Sequence, residues 1–192
     1  SVLAGNELHH GKVGTAGESA LGITQLLLAP TAPPNLTCQH IGMAASSLYH
    51  DAIFIGGQFH KSQVEGWLGA YAPDPTVLQF VTQMPRYNAF WKTFDSVDVA
   101  HQVDVPGLYM GGWDDIFLQG TLDSFASRQT KGAKGAKGEQ KIIIGPWTHF
   151  WPKITGIGDF DIPVAGRTVP HDISKERYFA HHLKDQKNGA DD

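Results

Sequence analysis

Gly11-Lys12-Val13-Gly14-Thr15-Ala16-Gly17-Glu18-Ser19-Ala20-Leu21-Gly22 runs directly into the apolar stretch Ile23 to Ala29. Small residues lead into a single serine and a helix-forming segment leaves it, which predicts a strand that turns sharply into a helix with Ser19 at the bend. Such a bend is a nucleophile elbow. Its serine sits in a strained backbone conformation, and a bulky residue two positions earlier would collide with the turn. Gly17 meets that need. On the far side the generic pattern asks for glycine two positions after the serine, where Leu21 stands, and the glycine follows one place later at Gly22. Taken alone, the stretch fits equally a glycine-rich turn that happens to carry a serine. The rest of the chain decides.

After the elbow helix, Ala29-Pro30-Thr31-Ala32-Pro33-Pro34-Asn35 is a break, because prolines at this density cannot continue a helix. A short strand is predicted at Leu36 to Ile41, and the triplet Asn35-Leu36-Thr37, although a glycosylation sequon, reads as a loop entering that strand. Between Ala44 and Val103 the segments become aromatic-rich with helical spacing. Val77, Leu78, Phe80, Val81 and Met84 fall largely on one helical face, and Tyr87 to Phe94 predicts a second short helix. Val105 to Met110 predicts a strand that ends at Gly111-Gly112-Trp113-Asp114-Asp115. The helix predicted over Ile116 to Gln129 has Ile116, Phe117, Leu118, Leu122, Phe125 and Ala126 as its apolar stripe. Lys131 to Gly138 is basic, glycine-rich and of low complexity, and reads as a solvated loop. Lys141 to Ile144 predicts a buried strand running into Gly145-Pro146-Trp147-Thr148-His149, and Ile173 to Lys187 predicts a final helix with Asn188-Gly189 as its stop. Strands alternating with helices indicate an α/β fold built on a mostly parallel sheet covered on both faces.

A chain of 192 residues can bury a substantial core, and its 41% apolar and 18% charged residues exclude general disorder. A net charge of −4 argues against a nucleic-acid binder, whose phosphate contacts need a basic surface. Cys38 stands alone, so neither a disulfide framework nor a cysteine metal site forms within the chain. No apolar run approaches the length of a membrane span. The chain opens at Ser1 without a methionine or a basic-then-apolar leader, and reads as a piece of something longer.

In an open parallel sheet, reactive groups collect at the carboxyl ends of strands. Ser19, Asp115 and His149 each follow a predicted strand, each within a small glycine-bearing turn. Their order, serine then acid then histidine, is the order of α/β-hydrolases. The chemistry gives each a role. A neutral His149 would accept the Ser19 proton during attack on a carbonyl and return it to the leaving group. Asp115 would hold the ring tautomer, and the backbone N–H of Ala20 would stabilise the oxyanion. Asp114 competes for the acid role. His9, His10, His40, His50, His60, His101, His171, His181 and His182 compete for the base. The pairs His9-His10 and His181-His182 read as surface histidines, because adjacent residues point apart and no acidic or cysteine spacing completes a metal site.

With those turns assembled, the sequence resembles the Xaa-Pro dipeptidyl-peptidase-like serine hydrolases, in particular the cocaine-esterase-type acyl hydrolases. Their elbow reads glycine, any residue, serine, usually tyrosine, any residue, glycine, as in Gly17 to Gly22 with Ala20 in the tyrosine place. Their glycine, tryptophan, any residue, aspartate turn matches Gly112-Trp113-Asp114-Asp115 and selects Asp115. Their glycine, proline, tryptophan, any residue, histidine turn matches Gly145 to His149. The resemblance implies an α/β-hydrolase fold over residues 1–192, of which this chain is the C-terminal half of the sheet, with a helical cap insertion at about 46–103. It further implies strands before the elbow, one bringing an oxyanion-hole tyrosine, and a jelly-roll domain after the final helix. Neither lies in this sequence. The expected substrate is a small ester or amide, with Xaa-Pro dipeptides as the alternative, and neither metal nor organic cofactor is required. A non-catalytic α/β module and, more weakly, a phosphate-binding role for Gly11 to Gly17 are the competing readings. No lysine follows where a P-loop needs one.

Overall fold

The computed structural model describes residues 11–151 and 153–190. Strand β1 (Val13–Glu18) turns into helix α1 (Ala20–Leu28), and β2 (Leu36–Gly42) runs parallel beside β1. The chain then leaves the sheet for a π-helical segment, Leu48–Ile53, a small hairpin of β3 (Phe54–Ile55) and β4 (Gln58–Phe59), and helices α2 (Lys61–Tyr71), α3 (Pro75–Thr82) and α4 (Ala89–Lys92). It returns as β5 (Gly107–Asp114), passes through α5 (Leu118–Lys131) and re-enters as β6 (Lys141–Thr148). A second hairpin, β7 (Gly156–Ile157) with β8 (Phe160–Asp161), precedes helix α6 (Lys175–Lys184). The main sheet has the order β1-β2-β5-β6 and is parallel throughout.

Parallel neighbours cannot be joined by tight turns, so each connection must cross a face of the sheet, and its apolar side is buried there. Alternation along the strands divides the core in two. On one face Ile41 and Tyr109 pack with Leu26 of α1 and Ala44, supported by Ile23, Phe125 and Ile142. On the other, Cys38 and Leu108 pack with Tyr178 of α6, supported by Ile143, Phe179 and Leu183. Burial of each large aliphatic side chain contributes roughly 1.5–3 kcal/mol.

The excursion between β2 and β5 carries its own satellite core, in which Tyr49, Phe54 and Trp91 are buried among Val81, Met84, Tyr87 and Phe90. The Trp91 indole donates to the Met84 carbonyl at 2.9 Å, and the Tyr49 hydroxyl donates to the Pro85 carbonyl at 2.8 Å. In α3, Leu78 and Val81 turn inward while Val77 and Phe80 stay exposed, so the inward face is narrower than the periodicity predicts. The second predicted helix shortens to α4, which Asn88 caps by accepting from the Phe90 and Trp91 amides.

Two sequence expectations are corrected. Of the predicted apolar stripe, Phe117 is buried and Phe125 packs against the core, but Leu118 and Leu122 are only half-buried and Ile116 and Ala126 are exposed, and the most buried face of α5 is instead Gly120, Thr121, Ser124, Ser127 and Arg128. The helix lies close against β5, where a Cβ on Gly111 would come within 3.2 Å of Thr121 Cγ2, and only small side chains fit such an approach. The glycine-rich loop 131–138 is docked rather than solvated. Ala136 is fully buried with Ala29 and Val103, the Ala133 amide donates to the Val103 carbonyl, and a Cβ on Gly135 would clash with the Asp104 carbonyl oxygen. Its glycines permit close packing. Among the described residues, no helix is long and apolar enough to cross a membrane.

Candidate active site

Ser19 lies at the carboxyl end of β1 with φ 56° and ψ −126°, a conformation that side-chain-bearing residues rarely adopt. The elbow is held by the Ser19 amide, which donates to the Gly42 carbonyl at 3.0 Å, and by the Gly22 and Ile23 amides, which both donate to the Ser19 carbonyl at 2.9 Å. Glycine spacing follows from what crosses the turn. A Cβ on Gly17 would sit 2.5 Å from Leu21 Cβ, and one on Gly22 would sit 2.8 Å from both Ala44 Cβ and the Gly42 carbonyl oxygen. Leu21 is 66% exposed. The second glycine is therefore required where α1 passes over β2, at Gly22, and the position two after the serine is free to carry a side chain.

Asp115 follows β5, after a register irregularity between Gly112 and Asp114, and its amide donates to the Gly112 carbonyl at 3.1 Å. Its side chain has no exposed surface. Asp114 is exposed. His149 follows β6, whose end is anchored by Trp147: the indole is buried, donates to the Gly166 carbonyl at 2.7 Å, and occupies the space a Cβ on Gly145 would need.

These turns meet at one rim of the sheet. His149 Nε2 is 2.8 Å from Ser19 Oγ, and His149 Nδ1 is 2.6 Å from Asp115 Oδ1. The Phe117 ring stands edge-on to the imidazole, with centroids 5.1 Å apart at 88°, and closes one side of the relay. Because the carboxylate can only accept, Nδ1 carries the proton in the neutral ring and Nε2 is left as the acceptor facing the serine hydroxyl. Ala20 opens α1, where the first backbone N–H groups have no intrahelical acceptor.

The rival histidines lie elsewhere. His40 is buried on the α6 face, and burial, with the Lys175 ammonium nearby, pushes its pKa down to about 4. His50, His101 and His171 are exposed. His181 and His182 sit half-buried on α6, with His182 against the Tyr178 ring. The pair His9-His10 lies outside the described residues. Among the described residues, no group of three or more His, Cys, Asp or Glu side chains is arranged to hold a metal ion. Sequence reading passed over Gln25 and the Phe117 contact. The signal for the first was a lone amide side chain within the apolar run after Ser19.

A parallel sheet whose strand turns through a left-handed serine into a helix, with an acid and a histidine at the ends of the next strands but one and two, defines the α/β-hydrolase fold. Residues 3–72 and 61–151 match the family described as X-Pro dipeptidyl-peptidase (S15 family), and the chain belongs to that family. No curated protein matches it in sequence. Among solved structures it is similar to an aminopeptidase from a marine sediment archaeon, Thaumarchaeota archaeon, with TM-score 0.72 and 17% identity over 93% of this chain and 36% of that one. A CocE/NonD family hydrolase from Staphylococcus aureus aligns with TM-score 0.69 and 19% identity over 94% of this chain and 30% of that one. An α-amino acid ester hydrolase aligns with TM-score 0.63 and 20% identity over 93% and 35%. The chain thus spans about a third of the length of these proteins.

Proposed function

We propose that the protein is a serine hydrolase that cleaves carboxylic ester or amide bonds through an acyl-enzyme intermediate, with Ser19 as nucleophile, His149 as general base and acid, and Asp115 as its orienting carboxylate. The supporting observation is the continuous relay from Ser19 Oγ through both ring nitrogens of His149 to Asp115 Oδ1, at 2.8 and 2.6 Å. As Oγ attacks the carbonyl carbon, its proton passes to Nε2, and the imidazolium is stabilised by Asp115. The oxyanion forms beside the Ala20 N–H. Collapse returns the proton from Nε2 to the leaving alkoxide or amine, and a water activated by the same nitrogen releases the acyl group. The exposed apolar side chains of Leu21, Trp113, Ile116 and Phe150 each lie within two residues of a relay member and offer apolar contacts for the acyl or leaving group. We assign the excursion between β2 and β5, residues 46–103, as a helical cap insertion, supported by its separate aromatic core around Tyr49, Phe54 and Trp91.

The test is fluorophosphonate labelling of the full-length protein. Adduct at Ser19, abolished in Ser19→Ala, is the expected result, and a folded protein left unlabelled would overturn the reading. Membership of the X-Pro dipeptidyl-peptidase family favours a second reading, release of Xaa-Pro dipeptides. A panel of aryl esters against Xaa-Pro anilides separates the two.

A further inference from the structure

We propose that Gln25 is a positioning residue for the elbow: its carboxamide, held in one orientation by a buried polar chain that begins at Arg128, clips together the two backbone arms that present Ser19. That Ser19 is the nucleophile rests on the function proposed above, whereas the clip concerns backbone geometry alone.

Gln25 is 5% exposed and points from α1 into the sheet. Its Nε2 lies 3.2 Å from each of three carbonyl oxygens, those of Gly17, Leu21 and His40. Gly17 is two residues before Ser19 on the strand arm and Leu21 two residues after it on the helix arm. His40 belongs to β2, so the same amide also ties the elbow to the neighbouring strand. A residue with a side chain at positive φ costs free energy and persists only where its surroundings over-determine it. Holding both arms from one buried amide does so.

The amide cannot be turned over without loss. Arg128 is 1% exposed and its guanidinium only donates, so Gln39 must present Oε1 to Arg128 Nη1, which it does at 2.8 Å. Gln39 Nε2 is thereby directed to Thr15 Oγ1 at 3.3 Å and to the Gln25 carbonyl at 3.0 Å. The Thr15 hydroxyl, accepting from Gln39, donates onward to Gln25 Oε1 at 2.7 Å. Only the NH₂ of Gln25 is then left for the three carbonyls, and a flip would set Oε1 against three oxygens. Arg128 Nη2 also donates to the Leu26 carbonyl at 3.1 Å. Arg128 lies on α5, the helix that follows Asp115, and Gln25 on α1, the helix that follows Ser19. One buried chain of hydrogen bonds therefore joins the helices behind the nucleophile and the acid.

Gln25 is buried and its side chain is engaged by Thr15 and three backbone carbonyls, so its loss is expected to act on turnover rather than on substrate binding. The test uses the full-length protein and compares Gln25→Met, which keeps length but removes the donors, with Val103→Ala, a core lesion at the amino ends of the strands. Three quantities are read: the fluorophosphonate labelling rate at Ser19, kcat and KM on an aryl ester, and mass-spectrometric amide exchange of the elbow peptide. Gln25→Met is expected to slow labelling and kcat about 10- to 100-fold with KM changed less than about threefold, while elbow exchange accelerates more than that of β6. Val103→Ala should leave kcat within about twofold at a comparable loss of stability. Equal effects of the two variants on all three readouts, or an unchanged kcat in Gln25→Met, would overturn the proposal. If Gln25→Met does not fold, Thr15→Val decides: it frees Oε1 and is expected to slow labelling about threefold with faster elbow exchange, and no change in either rejects the clip. If the wild-type protein is not labelled at Ser19, the hydrolase reading fails, and elbow exchange alone judges the clip.

Discussion

Gly112 faces Trp147 across the β5–β6 pair so closely that a Cβ on Gly112 would lie 2.1 Å from the Trp147 carbonyl oxygen and 2.6 Å from its carbonyl carbon. One of these strands delivers Asp115 and the other His149, so this approach sets how closely the carboxylate and the imidazole can come together. The obstacle is backbone, not a side chain that can rotate away.

Gly112→Ala is therefore expected to force the strand ends apart. We predict a loss of about 3 kcal/mol in stability, read by denaturant unfolding, together with a drop in Ser19 labelling larger than a surface variant of equal stability shows.

Removing the Asp115 carboxylate without changing the size of the side chain tests the proposed relay. Asp115→Asn should fold normally and lose on the order of 10³- to 10⁴-fold in kcat, because an amide that donates to Nδ1 selects the wrong ring tautomer. His149→Ala should match it within about tenfold, and their double variant should be no worse than the poorer single one.

The φ of 56° at Ser19 stores strain that glycine would not feel. Ser19→Gly is expected to be more stable than Ser19→Ala by about 1 kcal/mol while both are inactive. Equal melting temperatures for the two would show that the elbow is not strained.

His40 ties stability to pH. Its imidazole is depressed to about 4 by burial and by Lys175, with Glu176 acting in the opposite direction, against about 6.5 when unfolded. Above pH 6.5 the ring is neutral in both states and the contribution is complete. Between 6.5 and 4 the unfolded chain binds a proton that the folded chain refuses, so stability falls as the solution is acidified, by on the order of 3 kcal/mol in all, and the loss levels off below 4. His40→Asn should flatten that part of the stability profile, measured by urea unfolding at half-unit intervals.

Cys38 is fully buried, and burial pushes its thiol up to about 12, with Lys12 opposing. It should remain a thiol at neutral pH and react with iodoacetamide only as fast as the protein unfolds. Mass spectrometry of the Cys38 peptide across a denaturant series checks this.

The three turns that carry Ser19, Asp115 and His149 were legible because each carries residues that a turn of that shape demands: Gly17 and Gly22 around Ser19, Gly112 before Asp115, and Gly145 before Trp147 and His149. Strand and helix order could also be read from apolar periodicity. The face that α5 buries could not. Thr121, Ser124, Ser127 and Arg128 look solvent-facing in sequence, and they are buried because glycine in β5 lets the helix come close and because Gln39 stands ready to accept from Arg128. The loop around Ala136 was misread for the same reason, since glycines that suggest mobility in a free chain allow tight docking against Asp104 and Val103.

By itself, then, the sequence determined the four strands of the main sheet, the helices α1, α5 and α6 that connect and cover them, the family, and which serine, acid and histidine stand at turn positions, while α2 and the two small hairpins went unread. Those properties depend on neighbours within a few residues, where propensity and turn sterics act. Tertiary structure alone decided that Ser19, Asp115 and His149 converge within hydrogen-bonding distance, and that Gln25 reaches both arms of the elbow. Those outcomes depend on register and packing between residues up to 130 positions apart, which no local pattern encodes.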